Sequence, residues 1–233
     1  MNASPFSNIS PVVKNLLIIN IIFFIATLMF ADKMVTWFAV FYFDSPLFKI
    51  WQIITYMFMH SPVSYAHILF NMFALFSFGS TIEYVMGSKR FLNFYLITGL
   101  GALVLQMVVQ AIELYMATGS IMPVSQNASL LNPGQMDLVR EIYTGPMLGA
   151  SGAIFGLLIA FGMIFPNAEL FILLIPVPVK AKYIIPVYIV IELVLGVSQF
   201  AGDSVAHFAH LGGALFGFIL IKIWGIKRPG GYL

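Results

Sequence analysis

The chain has 233 residues, of which 61% are hydrophobic and 9% are charged. Because soluble domains carry roughly 25% charged residues, this composition excludes an ordinary soluble protein and predicts an integral membrane protein. The net charge of +2 is too small to indicate a nucleic-acid partner, and the absence of cysteine excludes disulfides and thiolate metal sites.

Six apolar segments approach the length that crosses a bilayer, whose hydrocarbon core needs about 20 apolar residues per helix. We expect a single all-α polytopic membrane domain over residues 1–233. The stretch 170–179 is apolar, but it is short and holds two prolines. We therefore predict a re-entrant or interfacial connector there. The predicted helices cover residues 12–31, 67–86, 91–116, 151–165, 181–200 and 204–224.

Lysine and arginine are unevenly divided between the two ends of these helices. With a cytoplasmic N-terminus, only Lys33, Lys49 and Arg140 of the 11 basic residues lie outside, which leaves eight inside. The positive-inside rule therefore predicts that both termini are cytoplasmic and that the second, fourth and sixth helices begin at the outer face. We expect the bacterial plasma membrane for so compact a chain, with an organellar membrane as the alternative.

Two external segments are long. Residues 32–66 are rich in aromatic side chains, which predicts a structured element lying in the membrane interface. Residues 117–146 are polar and contain Gly, Pro, Asn and Ser, so we expect a plain exposed loop there.

Polar residues fall at the outer ends of the even-numbered helices. Ionisable groups inside a membrane segment are costly, so each of them is a candidate for function. Ser151 opens the fourth helix, either as a helix N-cap or as a nucleophile beside flexible glycines. His210 lies early in the sixth helix, and His67 and Asn71 share one face of the second. From helix lengths, we expect Ser151 about 8 Å and His210 about 9 Å below the outer surface.

Small residues on two helices predict a close lateral approach. Gly152 and Gly156 on the fourth helix, and Gly213 and Gly217 on the sixth, each form a small-xxx-small pattern. Ordinary packing explains such patterns equally well. If the two seams meet, they bring the histidine within hydrogen-bond reach of the serine.

These residues resemble the motifs of the rhomboid family of intramembrane serine proteases. The similarity runs from about residue 51 to residue 217, and four motifs occur in order on the expected helices. They are Gly149-Ala150-Ser151-Gly152 for the nucleophile, His210-x-x-Gly213-x-x-x-Gly217 for the base, His67-x-x-x-Asn71 for the oxyanion site, and Glu83-x-x-x-Gly87 for a structural turn.

The resemblance implies a six-helix bundle with a long structured first external loop, which cleaves transmembrane segments near the outer face. Ser151 would be the nucleophile and His210 the general base, with His67 and Asn71 at the oxyanion and no cofactor or metal. The implied partners are transmembrane protein substrates and the lipid bilayer. The implied gate and cap are the fifth helix and residues 200–204. Gly149, Gly152, Gly213, Gly217 and Glu83 would support the site structurally, with Glu83 as a buried hydrogen-bonding brace.

Three positions need separate treatment. The family often has Trp-Arg where this chain has Trp51-Gln52, which bears on loop stability or lipid anchoring. The glycine spacing assigns the base to His210 rather than to His207. Asp203 precedes His210 by seven residues, too far along a helix to orient it, so we expect a Ser–His dyad without a third acid.

Three other classes of function compete with a serine protease. A zinc site could draw on His60, His67, His207 and His210, but the chain has no His-Glu-x-x-His motif. A non-proteolytic binder of transmembrane segments would resemble the inactive relatives, which lack the serine or the histidine. A transporter is disfavoured because the polar residues gather at one depth instead of crossing the bilayer.

Overall fold

The computed structural model describes residues 9–127, 131–172, 175–198 and 205–227. In these ranges, five helices are long and apolar enough to cross a membrane, and a sixth apolar helix, α9 (Ser151–Ile164), is shorter. The chain is therefore an all-α polytopic bundle, as predicted. The five long helices are α1 (Pro11–Met29), the continuous helix Tyr65–Met86, α6 (Ser88–Thr118), α10 (Ala181–Ser198) and α11 (His207–Trp224).

The helix Tyr65–Met86 contains one irregular turn. It consists of α4 (Tyr65–Ala74), a π-helical turn over Leu75–Gly79, and α5 (Ser80–Met86). Gly87 follows in a backbone conformation with φ of +78°, which glycine adopts without strain, so α6 begins at the next residue.

The carboxylate of Glu83 caps the N-terminus of α1. It accepts hydrogen bonds from the backbone N–H groups of Val12 at 3.1 Å and Val13 at 3.0 Å, and from the hydroxyls of Ser10 and Ser88. The first N–H groups of a helix have no partner within it, so a buried carboxylate satisfies them there. Glu83 thus joins α1 to α5 and α6.

Helix α9 lies at the centre of the bundle. It packs against α6, α10 and α11, and its buried residues occupy more than one face. Neighbouring helices therefore cover much of its length, which allows a helix of 14 residues to stand among longer ones.

The first external segment is structured, as predicted. It contains α2 (Ala31–Phe38), α3 (Gln52–Thr55) and a 3₁₀ turn over Tyr56–Phe58. The indoles of Trp37 and Trp51 stack with their centroids 5.9 Å apart. The Trp51 indole N–H also donates to the Trp37 carbonyl at 2.8 Å, which joins the end of α2 to the start of α3.

Gln52 is fully buried and holds this segment in shape. Its amide nitrogen donates to the carbonyls of Thr36 at 3.0 Å and Leu47 at 3.2 Å, and its oxygen accepts from the Lys49 N–H at 2.9 Å. The neutral amide therefore satisfies the loop backbone at the position where the motif often has arginine.

The second external segment is not the plain loop that we predicted. It forms α7 (Pro123–Asn127) and α8 (Pro133–Thr144), and α8 buries Val139, Ile142 and Tyr143. Asn132 and Gln135 form a capping box at the start of α8, with proline in the first helical position. That local signal outweighs the polar composition from which a loop was predicted.

Two small β elements depart from the all-α prediction in the described ranges. The connector over 170–179 is an antiparallel hairpin of β1 (Glu169–Ile172) and β2 (Ile175–Lys180), with Glu169 opposite Lys180. A two-stranded sheet consists only of edges, where the prolines of β2 are tolerated. An isolated bridge pairs Val40 with Met147 and joins the two external segments.

Candidate active site

Ser151 is the first residue of α9, and its hydroxyl contacts a residue of another helix. Ala150 occupies the N-cap position, and no side chain caps the helix. Instead, Ser151 Oγ lies 2.8 Å from His210 Nε2. The N-cap interpretation of this serine is therefore wrong, and the structure brings together the hydroxyl and the imidazole.

His210 lies one turn into α11, and its ring stacks on Phe155 with centroids 4.4 Å apart and an angle of 8° between planes. Because α11 begins at His207 and not at 204, His210 is about 4.5 Å from the helix start, whereas a start at 204 would have put it about 9 Å away. The cap predicted at 200–204, which includes Asp203, lies outside the described residues.

The glycine seams of α9 and α11 pack directly against each other. A Cβ added to Gly213 would lie 1.8 Å from the carbonyl oxygen of Gly152, and one added to Gly217 would lie 2.8 Å from the Cα of Gly156. No side chain fits at these contacts, so the two backbones touch. This close approach carries the histidine to the serine.

Gly149 makes room for His67 beside the serine. Its φ of +133° favours glycine, and a Cβ there would lie 2.9 Å from His67 Nε2 and 3.5 Å from Ser151 Oγ. The Gly149 N–H donates to the Tyr56 carbonyl at 3.0 Å, which fixes the backbone segment just before α9. The imidazole of His67 therefore lies against Gly149, two residues before the serine.

Asn71 is buried one helical turn after His67. Its side-chain nitrogen donates to the His67 carbonyl at 2.7 Å. A primary amide carries two N–H bonds, so a second one remains available to another acceptor. The Asn71 side chain is therefore held by its own helix, one turn after His67.

Glu192 of α10 supplies a carboxylate on the far side of the histidine. Its Oε2 lies 2.8 Å from His210 Nδ1 and 2.7 Å from His207 Nδ1. The three side chains are 8–14% exposed. Ser151, His210 and Glu192 therefore form a continuous hydrogen-bonded row across α9, α11 and α10.

A sequence model of the Rhomboid domain matches residues 47–226, which is most of the chain. The chain belongs to the rhomboid family. Rhomboids are generally intramembrane serine proteases, and the long apolar helices agree with an integral multi-pass membrane protein. The chain is also 30% identical over 102 residues to "Rhomboid protein 1, mitochondrial" of Saccharomyces cerevisiae. That match covers 44% of this chain and 22% of the yeast protein, so the chain spans less than a quarter of this relative.

Two residues of this rhomboid site were missed by the sequence reasoning. Phe155 follows Ser151 by four positions and so lies on the same helix face, a spacing that could have identified it. Glu192 is a carboxylate within an apolar helix, which by itself indicates a functional candidate. The expectation that no acid reaches His210 is wrong, because Glu192 Oε2 lies 2.8 Å from His210 Nδ1.

The four histidines do not gather into one metal site in the described part of this rhomboid. His60 packs against His67 with ring centroids 5.1 Å apart, whereas His207 and His210 both contact Glu192. Burial, followed by the charge of His67, lowers the pKa of His60 to about 3, against the smaller effect of the Phe58 carbonyl. His60 is therefore neutral at ordinary pH.

Proposed function

We propose that this rhomboid is a serine endopeptidase that cleaves transmembrane segments of membrane proteins near the outer face of the bilayer. The observation that supports this most directly is the 2.8 Å separation between Ser151 Oγ and His210 Nε2. Nucleophile and base within hydrogen-bond reach are the arrangement that activates a serine.

In the first half of the reaction, Ser151 Oγ attacks the carbonyl carbon of the substrate peptide bond, and its proton passes to His210 Nε2. The tetrahedral intermediate collapses, the C–N bond breaks, and His210 returns that proton to the departing amine. In the second half, water attacks the acyl-enzyme and gives a proton to His210. The ester C–O bond then breaks, and Ser151 recovers the proton.

The tetrahedral intermediate carries a negative charge on oxygen. We assign its stabilisation to the imidazole of His67, which lies beside the serine, together with the Asn71 amide and the Ser151 backbone N–H. Ser151 is the first helical residue, so its N–H is not needed within the helix. Loss of one such donor typically lowers the rate by about 10²–10³.

The depth of the serine defines the class of substrate. A helix of 14 residues is about 21 Å long, against roughly 30 Å of hydrocarbon, so Ser151 would lie about 9 Å below the outer surface if α9 reaches the inner one. Hydrolysis there needs a polar cavity open to the outside. A helical substrate must unwind locally, so we expect helix-weakening Gly or Pro and small residues at the cleavage site.

We infer the orientation of the helices from the charge distribution. The excess of basic residues at one end of the helices supports cytoplasmic termini and a start of α9 at the outer face, by the positive-inside rule. We propose the bacterial plasma membrane, with an organellar membrane as the alternative, and protease accessibility of tagged termini in intact cells tests the orientation.

A fluorophosphonate probe tests the proposed chemistry directly. The serine oxygen displaces fluoride from phosphorus only if a base accepts its proton. We expect purified wild-type protein in detergent to be labelled at Ser151, and Ser151→Ala and His210→Ala to lose labelling. Chelators should leave labelling unchanged.

Two outcomes would overturn the proposal. Labelling of His210→Ala at the wild-type rate would show that this imidazole is not the base. Absence of labelling in the wild type, together with capture of intact transmembrane peptides, would make the protein a non-proteolytic binder of the same family.

A further inference from the structure

We propose that Glu192 is a positioning residue that fixes the orientation and tautomer of His210, so that the site works as a Ser–His–Glu triad rather than as a dyad. This inference rests on the proposed function. It is carried by the carboxylate oxygen that lies 2.8 Å from His210 Nδ1, opposite the nitrogen that faces the serine.

The tautomer follows from what each group can donate. An ionised carboxylate only accepts hydrogen bonds, so His210 Nδ1 must carry the hydrogen that points to Glu192. In the neutral ring, the other nitrogen, Nε2, then has its lone pair facing Ser151 Oγ. That is the form of imidazole that can accept the serine proton, so the carboxylate selects the competent state of the base.

His207 holds the same carboxylate from a second direction. Its Nδ1 lies 2.7 Å from Glu192 Oε2, and by the same argument it donates. A carboxylate in an apolar helix is costly unless it is paired, and here two imidazole N–H groups satisfy it. The arrangement explains why α11 carries histidines three residues apart that face one acid.

The backbone of α10 is placed to deliver this acid. Gly196 lies one turn after Glu192, and a Cβ there would approach the His207 Cβ at 3.2 Å and the Phe208 ring at 3.3 Å. The absence of a side chain lets α10 lie close to α11 at this level. Glu192 therefore reaches His210 from a helix that packs firmly against α11.

The distances favour hydrogen bonds over a shared metal ion. The ligand atoms of Glu192, His207 and His210 all lie within 4.8 Å of one another, a grouping that could also hold a cation. Two ligands of a tetrahedral zinc ion with bonds of about 2.05 Å stand about 3.3 Å apart. The observed 2.7 and 2.8 Å between oxygen and nitrogen are shorter and match direct charge-assisted hydrogen bonds.

The test compares isosteric and conservative changes of the acid by fluorophosphonate labelling, with saturation kinetics that separate the maximal inactivation rate from probe binding. We expect Glu192→Gln to lower the maximal rate about 100-fold or more, because an amide can stabilise the wrong tautomer of His210. Probe binding and the thermal unfolding temperature should stay near wild type. Glu192→Asp should recover part of the rate because the charge is retained.

A matched control is available on another helix. Glu113→Gln makes the same chemical change on α6, 11 residues beyond Ala102, which contacts α9 at Gly152. That separation is about 16 Å along the helix, so labelling should be unchanged. His207→Phe should lower the rate less than Glu192→Gln, since the carboxylate retains His210.

The outcomes separate this inference from the proposed function. If Glu192→Gln labels like the wild type while Ser151→Ala and His210→Ala do not label, the protease assignment stands and the positioning role of Glu192 is wrong. A loss of rate that only follows a loss of thermal stability, with no recovery in Glu192→Asp, would make Glu192 purely structural. A change of wild-type labelling on chelation or on addition of Zn²⁺ at stoichiometric amounts would favour a metal and contradict the positioning role of Glu192.

Discussion

Where α9 meets α11, the two helices touch through backbone atoms, because Gly152 and Gly156 face Gly213 and Gly217 without side chains. Where the two external segments meet, contact is made by large side chains: Tyr42, Val139, Ile142 and Tyr143 bury one another around the end of α6. Hydrogen bonds from side chains to backbone groups join the same region, as when Ser45 Oγ donates to the Tyr143 carbonyl at 2.7 Å.

The difference reflects the surroundings of each region. Lipid chains are as apolar as leucine, so helices in a bilayer gain little from apolar contact and associate through close packing of small residues. The external layer can gain from burial of apolar area away from water. We therefore expect the bundle to be sensitive to added volume and the external layer to be sensitive to lost contacts.

The largest effect should come from adding one methyl group to the bundle seam. In Gly213→Ala the new Cβ would lie 1.8 Å from the Gly152 carbonyl oxygen, so the helices must separate. Overpacking of a core commonly costs 1–3 kcal/mol, and we expect about 3 kcal/mol here. Displacement of His210 by about 1 Å should lower fluorophosphonate labelling about 100-fold.

A glycine in the external layer provides the control for that variant. At Gly134 in α8 the nearest heavy atom to an added Cβ is Asn132 Oδ1 at 3.6 Å, an ordinary contact. Gly134→Ala should leave labelling unchanged. If Gly213→Ala labels like Gly134→Ala, the seam does not position the site.

Loss of polar contacts in the external layer should produce the next largest effect, and on stability rather than on chemistry. Gln52→Leu keeps a similar volume but leaves the Lys49 N–H and the carbonyls of Thr36 and Leu47 without their partner. We expect a loss of about 2–3 kcal/mol, measured by unfolding in detergent, with labelling of the folded protein close to wild type. Equal losses of labelling and stability would mean that the two regions are not separable.

The helices of the bundle could be predicted because a bilayer imposes length and composition on them. The predicted starts and ends agree with the structure within a few residues for most helices, but α11 begins at His207 and not at 204. The external layer was harder to predict. The helix α8 depends on the local cap formed by Asn132 and Gln135, which a count of polar residues does not reveal.

The site divides in the same way. Glycine spacing pointed to contact between two helices, and the structure places Ser151 and His210 where that contact would bring them. Their catalytic roles stay predictions. Glu192 could not be linked to His210 by spacing, because the two lie on different helices and their distance depends on how α10 packs. The sequence of one helix predicts its buried face and its ends, whereas contacts between side chains of different helices depend on how the helices pack.

Acid should weaken the junction between the two regions through His60, which lies just before α4. Its pKa is about 3 in the folded protein because of burial and the neighbouring His67, against about 6.5 when unfolded. Below pH 6.5 the unfolded chain takes up a proton that the folded one does not. The contribution of His60 to the free energy of unfolding is therefore complete above pH 6.5 and is lost as the pH decreases toward 3.

The effect of His60 is measured by comparing unfolding free energies at pH 7.5 and 5.5 in wild type and His60→Phe. We expect the wild type to lose about 1 kcal/mol more than the variant over this interval. Other titrating groups contribute equally to both proteins, so the difference isolates this imidazole. Parallel losses in the two proteins would contradict the assignment.

The smallest effect should follow from weakening a single charge in the external layer. The carboxylate of Asp44 accepts hydrogen bonds from the Tyr143 phenol and from Ser125 Oγ at 2.7 Å, and so joins the two segments. Burial, followed by this carboxylate, also raises the pKa of Tyr42 to about 12, so that its phenol stays protonated and donates to Ile121. In Asp44→Asn the charge is lost and one of the two accepting oxygens becomes an NH2 group, which should cost about 1 kcal/mol. Asp137→Asn, on the exposed face of α8, should be neutral in the same unfolding measurement. Since both changes lie outside the bundle, neither should alter the labelling rate of Ser151, and a slower rate in Asp44→Asn would show that the external layer also positions the site.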